Sequence, residues 1–473
     1  MTSRVSPTAT TTQFVQAILS ASERPLPDAA AQATRRVVLD TFGAMLAASS
    51  PSWPGTTHMG AFIAGEQSAG SCLVVGTPLS AGPALASLAN GYLAYALDIE
   101  THHGPAVMHA AAGVVPAAFA TAQTTLATGA AFLSAVALGI EVACRVSLAI
   151  GPNDLYGRGF HPSAVAGAFG AAAASGLLLG LDPDRFANAL GLAATQASGL
   201  LAWASDETEE SRPFNPGIAA RNGVTAARLA SLGFGAPQGI FDRSAKYHVF
   251  RAWSNDGEGR PEELLKDFGD HFAVEGLTFK VHACCAFLHP ALDVLLGLMA
   301  AHRLAAADVS AIQMRFPASG APIIDGNPLR SHCAQYILPV AATRGAVRFE
   351  DVLHDRSAEP EVVRLGAATS ITHDDELDRD YPDRYTTVLE LRTTSGQTVN
   401  QRVEWPRGCP QNPLTEQELK EKFLALVAPR LSRPQAEEIG DLAVTVDQPG
   451  HLETLFDRLK EVGGVGRETA IAD

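Results

Sequence analysis

Long runs of small and apolar residues dominate the first half of the chain and predict a series of helices. The runs end at helix-breaking residues such as Gly129, Gly151-Pro152 and Asp182-Pro183. They carry more Ala and Gly than Val, Ile or Phe, which allows helix backbones to approach closely. We expect a compact, multi-layered helical domain over residues 1–274, with helices at 29–48, 81–97, 107–128, 131–150, 163–181 and 183–203.

The pattern changes near residue 275, because alternating apolar positions then indicate strands. Residues 309–316 alternate and predict a strand, while 385–393 and 398–403 flank Ser395-Gly396 as the strands of a β-hairpin do. An α+β domain is therefore expected over residues 275–405, with helices at 286–304, 336–342 and 360–367.

Helical patterns return in the last part of the chain, over residues 406–473. Thr415 and Glu418 have the spacing of a capping box, in which each residue satisfies a free backbone N–H of the other. We expect this part to pack back on the first domain, with helices at 415–426, 433–442 and 451–460. The predicted fold is therefore mainly α, with a large all-α domain and a smaller α+β domain.

The charge balance excludes several classes of partner. The 473 residues include 35 Lys and Arg against 50 Asp and Glu, which gives a formal net charge of −15. This balance argues against a nucleic-acid binder and against a protein that docks on an anionic membrane. It is compatible with an anionic small molecule, because the local field in a site can oppose the global charge. Only six of the basic residues are Lys, so a lysine in an apolar setting stands out.

Cysteine usage and apolar run lengths indicate an intracellular globular protein. The six cysteines include no CxxC pair, which argues against a disulfide framework and an iron–sulfur cluster. No uninterrupted apolar run reaches the length of a membrane span, and the nearest, 164–181, is interpreted as a buried helix. The first ten residues are polar and lack the apolar stretch of a signal peptide, so we expect a cytoplasmic protein.

The segment LDIETHHGPAVMH, residues 97–109, concentrates acidic and imidazole side chains between two apolar helices. Asp98, Glu100, His102, His103 and His109 lie within twelve positions. Histidine titrates near neutral pH and a neighbouring carboxylate tunes it, so the segment suits general acid–base catalysis. Two alternatives are a zinc site and a purely structural set of helix caps and loop hydrogen bonds.

Four other segments carry further candidates. His161 precedes a small-residue helix, whose N-terminus offers free N–H groups to a carboxylate. Arg212 lies in an irregular stretch before a helix, and a guanidinium binds a carboxylate through two parallel bonds. Lys280, followed nine residues later by His289, is either a carboxylate anchor or an acid–base group of lowered pKa. Tyr336 begins an apolar helix and could donate a proton. A structural role is the alternative for each.

In their order and spacing, these segments resemble the MmgE/PrpD family. The resemblance extends from about residue 12 to 460, and its most specific pieces are GFHPSAVAGAFGAAAASGLLLGLD, ALGLAATQASGL, PGIAARNG, KVHACCAFLH, HCAQYI and GCPQNPLTEQELKEKF. It implies a large all-α domain built from N- and C-terminal parts, a smaller α+β lid, and a site in the cleft between them. It also implies a homodimer with neither a metal nor an organic cofactor.

The resemblance also implies catalytic residues. The acidic and histidine positions of the family fall on Asp98, His109 and His161, its lid lysine on Lys280 and its lid tyrosine on Tyr336. In this assignment the first three are the acid–base candidates. Lys280 supplies positive charge, and Tyr336 donates a proton to a departing hydroxyl or to the product.

The substrate-binding candidates are His103, Arg212, Lys280 and His289. Many members of the family have Lys at the position of Arg212. Arginine keeps the positive charge and can clamp a carboxylate, but it cannot donate a proton at neutral pH. The chain also has Glu100-Thr101 where the family has a pair of Asp residues.

The family's chemistry removes a proton or CO₂ at a carbon next to a carboxylate of a small di- or tricarboxylate. Dehydration of a substrate like 2-methylcitrate is favoured, because SHCAQYI and DYPDRYTTVLELRTTSG are most similar to 2-methylcitrate dehydratase. The first alternative is decarboxylation of the cis-aconitate type, to which KVHACCAFLH is more similar. The sequence is also compatible with epimerisation of an aminodicarboxylate such as iminodisuccinate, and with non-catalytic binding of a carboxylate.

Overall fold

The computed structural model describes residues 9–66, 68, 70–206, 208–381 and 384–465, and it confirms a mainly α-helical fold with small sheets. The helices before residue 260 are α1 Thr10–Ser22, α2 Asp28–Ala48, α3 Pro54–Gly65, α4 Pro83–Ala96, α5 Ala110–Thr125, α6 Gly129–Ile150, α7 Pro152–Gly157, α8 Pro162–Leu178, α9 Pro183–Gln196, α10 Ser211–Ser231 and α11 Val249–Trp253. The later helices are α12 His289–His302, α13 Ala334–Arg344, α14 Phe349–Leu353, α15 Pro360–Ala367, α16 Glu416–Val427, α17 Arg433–Val444 and α18 His451–Val465.

The described strands form two short antiparallel pairs and one larger sheet. The pairs are β1 Cys72–Leu73 with β2 Ser80–Ala81, and β3 His102–His103 with β4 Leu277–Thr278. The larger sheet consists of β5 Val309–Pro317, β6 Thr369–Asp374, β7 Thr387–Thr393 and β8 Thr398–Val403. Its order is β6-β5-β7-β8, and the predicted hairpin of β7 and β8 is confirmed. β6, which the sequence pattern does not predict, pairs parallel to β5.

Helix α8 lies at the centre of the helical part of the molecule. Residues 162–176 of α8 are all buried, and the helix packs against α5, α6 and α10. A Cβ atom at Gly139 of α6 would lie 2.9 Å from the Gly170 carbonyl oxygen of α8, and a Cβ at Gly170 would overlap the Gly139 carbonyl oxygen. The small residues of these helices are therefore required for the close approach of their backbones.

Most buried apolar side chains fall into two clusters. The first combines residues 14–283 with residues 414–462, because α16 and α17 pack against α2. The second contains residues 284–391 and joins α12, α13 and α15 to the larger sheet. We refer below to the helical part and the α+β part, which these two clusters define.

The segment 183–203 departs from the predicted single helix. α9 ends at Gln196 because Gly199, with a φ of +125°, brings the chain too close to α8 and α10 for a Cβ atom. Leu201–Ser205 then forms a short 3-10 helix. Arg212 lies in the first turn of α10 and not in an irregular stretch before it, which corrects that prediction.

Among the residues that the structure describes, the helix that meets the length and composition of a membrane span is α6 and not the segment 164–181. Most of α6 is buried inside the protein. It carries the buried pair Glu141–Arg145, 2.5 Å apart, whose guanidinium also donates to the carbonyl oxygens of Glu263 and Lys266. Residues 1–8, on which much of the signal-peptide prediction rests, lie outside the described residues.

Gly170→Ala and Gly297→Ala should have opposite effects on the free energy of unfolding. Gly170→Ala inserts a methyl group against the backbone of α6 and should lower the free energy of unfolding by about 1–3 kcal/mol. Gly297 lies in α12, and a Cβ atom added there would meet open space. Its substitution by Ala should therefore raise the free energy of unfolding by about 0.5–1 kcal/mol. Urea unfolding measures both, and a Gly170→Ala variant at least as stable as the wild type would contradict the packing role of Gly170.

Candidate active site

The acidic segment after α4 turns into the protein interior. Asp98 has a φ of +54°, in the left-handed region that Asp tolerates better than most residues. Asp98, Glu100 and Thr101 are buried, at 3%, 0% and 0% exposure. The turn thus places two carboxyl groups inside the protein, where a charged carboxylate is stable only with a partner.

Strand pairing brings Lys280 to these carboxyl groups, although 182 residues separate it from Asp98. In the pairing of β3 with β4, His102 lies opposite Thr278. Two residues further along this antiparallel register, Glu100 lies beside Lys280. The Lys280 ammonium donates to Asp98 Oδ1 and, at 3.2 Å, to the Asp98 carbonyl oxygen, and it lies 3.5 Å from Glu100 Oε1.

Arg212 is a second cation at Asp98. Its Nη1 atom lies 3.5 Å from Asp98 Oδ1 and its Nε atom 3.7 Å from Glu209 Oε2. The guanidinium also lies over the Tyr95 ring, 4.6 Å from its centre, and Arg212 is 2% exposed. The guanidinium is therefore engaged by carboxylates of the protein itself.

Burial and pairing push the pKa values of the two carboxyl groups apart. Burial would raise the pKa of Asp98, but Lys280 and Arg212 hold it well below its usual range. Burial raises the pKa of Glu100 to about 7. The negative charge of Asp98 also raises this pKa, whereas the positive charge of Lys280 lowers it. Burial would lower the pKa of Lys280, but the two carboxyl groups raise it, which favours an anchor over a group of lowered pKa.

His109 is oriented for proton transfer at its Nε2 atom. It directly precedes α5, and its Nδ1 atom lies 3.1 Å from the Thr101 carbonyl oxygen and 2.8 Å from Glu100 Oε1. Because a carbonyl oxygen only accepts, Nδ1 carries the proton and the neutral ring keeps a lone pair on Nε2. Burial, followed by Lys280, holds the pKa of His109 well below its usual range, so the ring is neutral near pH 7.

A cavity of about 260 Å³ adjoins this cluster. Asp98, His109 and Lys280 line it. Its other walls come from both parts of the molecule, including Tyr95, His102, Tyr156, Trp203, Cys285, Phe287, Ile323, Asn327 and His332. A cavity of this size with several titratable groups is suited to a small organic acid.

His161 lies close to the cluster but behind the wall of the cavity. It is 1% exposed, and its ring lies 6.0 Å from that of Tyr95 and 5.4 Å from that of Trp203, both of which line the cavity. Its Nδ1 atom has no hydrogen-bond partner among the described residues. Arg212 also lies outside the lining, beside Asp98, and its predicted role as a direct clamp on a ligand carboxylate stays a prediction.

The structure places the side chain of Tyr336 outside the lining of this cavity. Its hydroxyl donates to the Asp351 carbonyl oxygen and accepts from the Arg356 amide at 3.0 Å. The phenol thus ties α13 to α14 and the residues after it, and it is not among the residues that line the cavity. The predicted role of Tyr336 as the proton donor stays a prediction.

His103 and His289 line a neighbouring cavity of about 230 Å³. The two cavities adjoin at His102 and Lys280, which line both. Burial lowers the pKa of His103 to about 4 and holds that of His289 well below its usual range. His289 Nε2 has no hydrogen-bond partner among the described residues.

Several cavity residues were not assigned from the sequence, although each lies beside a motif that was used. His332 lies four residues before Tyr336, and Tyr156 lies five residues before His161. Trp203 follows the segment ALGLAATQASGL. Proximity to these motifs was the available signal, but the direction of each side chain depends on tertiary packing.

Oxygen and nitrogen atoms of Asp98, Glu100 and His109 lie within 4.8 Å of one another, a spacing that could hold a metal ion. The Lys280 ammonium already contacts Asp98 and lies 3.5 Å from Glu100. A metal ion between the carboxyl groups would therefore be repelled by an ammonium that holds the same oxygens.

Lys422 of α16 binds the segment that carries Asp98 and Glu100. Its Nζ atom lies 2.5 Å from Oδ1 of Asp40, which is 2% exposed, and donates to the Ile99 carbonyl oxygen at 2.8 Å. Ile99 lies between the two carboxyl-bearing residues of the site. The last part of the chain therefore contributes to the position of Asp98 and Glu100.

Comparison with known sequences matches nearly the whole chain. The MmgE/PrpD N-terminal domain matches residues 12–258, and the MmgE/PrpD C-terminal domain matches residues 282–448. A cis-aconitate decarboxylase of Aspergillus terreus is 28% identical over 416 residues, which cover 82% of this chain and 84% of the relative.

Two further relatives cover more of the chain. The cis-aconitate decarboxylase-like protein oryM of Aspergillus oryzae is 29% identical over 462 residues, covering 91% of this chain and 93% of the relative. The human cis-aconitate decarboxylase is 26% identical over 452 residues, covering 91% of this chain and 90% of the relative.

Lys422→Met should lower the free energy of unfolding far more than Lys420→Met, a matched change on the same helix. The first leaves Asp40 buried without its partner, at a cost of roughly 3–5 kcal/mol. The Lys420–Asp441 pair is exposed at 38% and 62%, so its loss should cost less than about 1 kcal/mol. Urea unfolding at pH 7 measures the difference, and equal losses would contradict the anchor role.

The loss from Lys422→Met should also be smaller at pH 5 than at pH 8. Burial already raises the pKa of Asp40, and removal of Lys422 removes the largest opposing effect. At lower pH the carboxyl group takes up a proton and needs no charged partner. The same unfolding experiment at the two pH values tests this direction.

Proposed function

The chain belongs to the MmgE/PrpD family, and on this premise we propose that it is a lyase acting on a small tricarboxylate. The observation that carries the proposal is the cluster of Asp98, Lys280, Glu100 and His109 at the edge of a cavity. A charged pair, a carboxyl group that titrates near neutral pH and a neutral imidazole together suit acid–base chemistry beside a carboxylate.

Within this class we favour decarboxylation of the cis-aconitate type. The relatives described above carry the name of that activity, whereas the sequence motifs alone favoured dehydration of a substrate like 2-methylcitrate. Dehydration is the second candidate, supported by the segments SHCAQYI and DYPDRYTTVLELRTTSG. We propose that neither reaction needs a metal or an organic cofactor.

Both reactions build negative charge on the carboxylates of the substrate or the enolate joined to them. Lys280 is the cation that lines the cavity. Protonation of Glu100 removes one of the negative charges beside the Lys280 ammonium, which can then turn toward the substrate. In dehydration, a neutral His109 accepts a proton at Nε2 from a carbon next to a carboxylate, and its protonated form offsets charge on the departing hydroxyl. In decarboxylation, which removes no carbon-bound proton, His109 positions the substrate in the cavity. Arg212 acts through Asp98, as a positioning residue. Both reactions also require a proton donor in the cavity.

We propose that the α+β part acts as a lid and that the protein works as a homodimer. The lid proposal is supported by the composition of the cavity wall, to which the α+β part contributes Cys285, Phe287, Asn327 and His332. Entry of a substrate then requires the two parts to separate at this wall.

His109→Gln should lower kcat by about 10²–10⁴-fold on the best tricarboxylate, because it removes the imidazole at the cavity. His302→Gln, at an exposed position of α12, is the matched control and should leave kcat unchanged. The substrates are cis-aconitate, citrate, 2-methylcitrate and iminodisuccinate, with products followed by NMR with and without EDTA.

Each outcome of that experiment has a defined meaning. Full activity of His109→Gln would overturn the site assignment, and loss of activity in EDTA would overturn the proposal of a metal-independent reaction. If the wild type binds tricarboxylates in calorimetry but converts none of these substrates, the protein is a carboxylate-binding protein and the lyase proposal is wrong.

Binding of a tricarboxylate should be accompanied by proton uptake and should weaken as the pH rises above about 7. Glu100, whose pKa burial raises to about 7, is uncharged below that pH and negatively charged above it. The charged groups that act on it are Lys280, Asp98 and Arg212. If one proton is taken up, the apparent Kd rises about tenfold per pH unit above 7.

Calorimetry in two buffers of different ionisation enthalpy measures this proton uptake directly. Glu100→Gln has a similar volume and no titrating carboxyl group, so it should remove most of the pH dependence. An affinity that is constant between pH 6 and pH 9 would contradict the assignment of Glu100.

A further inference from the structure

Glu209, Ser331 and His332 form a buried hydrogen-bonded chain that ends at the cavity. The Ser331 hydroxyl lies 2.8 Å from both carboxylate oxygens of Glu209 and 2.8 Å from Nδ1 of His332. The Ser331 amide also donates to Glu209 Oε1 at 3.2 Å. The three residues are 3%, 1% and 8% exposed, and His332 lines the cavity.

The direction of these hydrogen bonds follows from the groups involved. A hydroxyl has one proton, and the Glu209 carboxylate only accepts, so Ser331 donates to Glu209 and accepts from His332 Nδ1. Nδ1 of His332 therefore carries a proton, and Nε2 is the atom that gains or loses one. A positive charge on the ring is stabilised through Ser331 by the negative charge of Glu209.

The chain crosses between the two parts of the molecule. Glu209 precedes α10 of the helical part, with a φ of +61° that is uncommon for this residue type, whereas Ser331 and His332 belong to the α+β part. The Trp203 ring packs against His332, with ring centres 5.8 Å apart. Docking of the two parts therefore links the imidazole, through Ser331, to Glu209 and packs it against Trp203.

We propose that His332 is the proton donor of the lyase reaction and that Ser331 and Glu209 are its positioning residues. The proposal rests on the proposed function, and it supplies a proton donor that lines the cavity. In decarboxylation, the C–C bond to one carboxylate breaks and CO₂ leaves. The released electron pair takes the Nε2 proton of the His332 imidazolium, and the neutral imidazole regains a proton from water.

Binding of an anionic substrate favours the protonated form of His332, which is the form that donates. Burial lowers the pKa of His332 in the free protein, against the effects of Asp98 and Glu209. The other charged or titratable groups that act on the ring are Arg212, Lys280 and His161. A bound tricarboxylate adds negative charge beside the ring and favours the imidazolium form.

The first experiment examines the chain without turnover. Nitrogen-15 NMR of the full-length protein with labelled histidine, with signals assigned by their loss in His332→Gln, reports the protonation of each ring nitrogen. We expect Nδ1 to be protonated and Nε2 unprotonated at pH 8. The pKa of His332 should fall in Ser331→Ala and in Glu209→Gln, because both remove the link to the negative charge.

The matched control is Ser319→Ala. Ser319 also donates its amide and hydroxyl to one carboxylate, that of Asp378, at 3.0 and 2.6 Å, but on the exposed surface of the α+β part. This substitution should leave the pKa of His332 unchanged. A neutral ring protonated at Nε2 would contradict the hydrogen-bonded chain of Glu209, Ser331 and His332. A pKa of His332 that responds equally to Ser331→Ala and Ser319→Ala would contradict it as well.

The second experiment measures kinetics on the substrate that the wild type converts best. His332→Gln should lower kcat by about 10²–10⁴-fold. Ser331→Ala should lower it by about 10- to 100-fold with little change in KM and should move the pH profile of kcat to lower pH. Ser331→Thr, which restores the hydroxyl, should recover activity, and Ser319→Ala should behave as the wild type.

Failure of this inference is distinguishable from failure of the proposed function. An active wild type with an equally active His332→Gln overturns the donor role and leaves the lyase proposal intact. A wild type that converts no carboxylate overturns the lyase proposal and the donor role together, and the NMR experiment then decides whether the hydrogen-bonded chain exists.

Discussion

The buried ion pair of Lys280 with Asp98 is the interaction on which the site depends. The two side chains are 1% and 4% exposed and join segments that are 182 residues apart. The strands β3 and β4 that bring them together have two residues each, so the ion pair adds to a very short hydrogen-bonded ladder. A partner left alone in this environment would cost roughly 3–5 kcal/mol, which makes the pair a strong constraint on how these two distant segments of the helical part pack together.

The same pair explains how an acidic protein presents a site suited to an anion. Its cations are matched by buried carboxylates, and the group that changes charge near neutral pH is Glu100, whose pKa burial raises to about 7. Two of the six lysines hold one short segment, since Lys280 binds Asp98 and Lys422 binds the Ile99 carbonyl oxygen. The net charge of −15 therefore does not describe the field inside the cavity.

Contacts between the helical part and the α+β part assemble the cavity. Ser331 of the α+β part crosses the junction to Glu209 of the helical part, whereas Lys280 and Asp98 both belong to the helical part. Separation of the parts would therefore disconnect Ser331 and His332 from Glu209 and leave the charged pair in place. Opening of the site and loss of the link between His332 and Glu209 are thus one event in this fold.

The sequence by itself determined the helices, the hairpin of β7 and β8, the capping box of Thr415 and Glu418, and the family. These features follow from periodicity, turn residues and caps, which act over a few positions of the chain. It also singled out Asp98, His109 and Lys280, which were conspicuous as charged or imidazole groups beside apolar segments. Only the tertiary structure decided which side chains reach the cavity and how their pKa values shift, because both depend on packing between distant segments. For that reason it tied the Tyr336 hydroxyl to Asp351, set Arg212 beside Asp98, and brought His332 to the cavity.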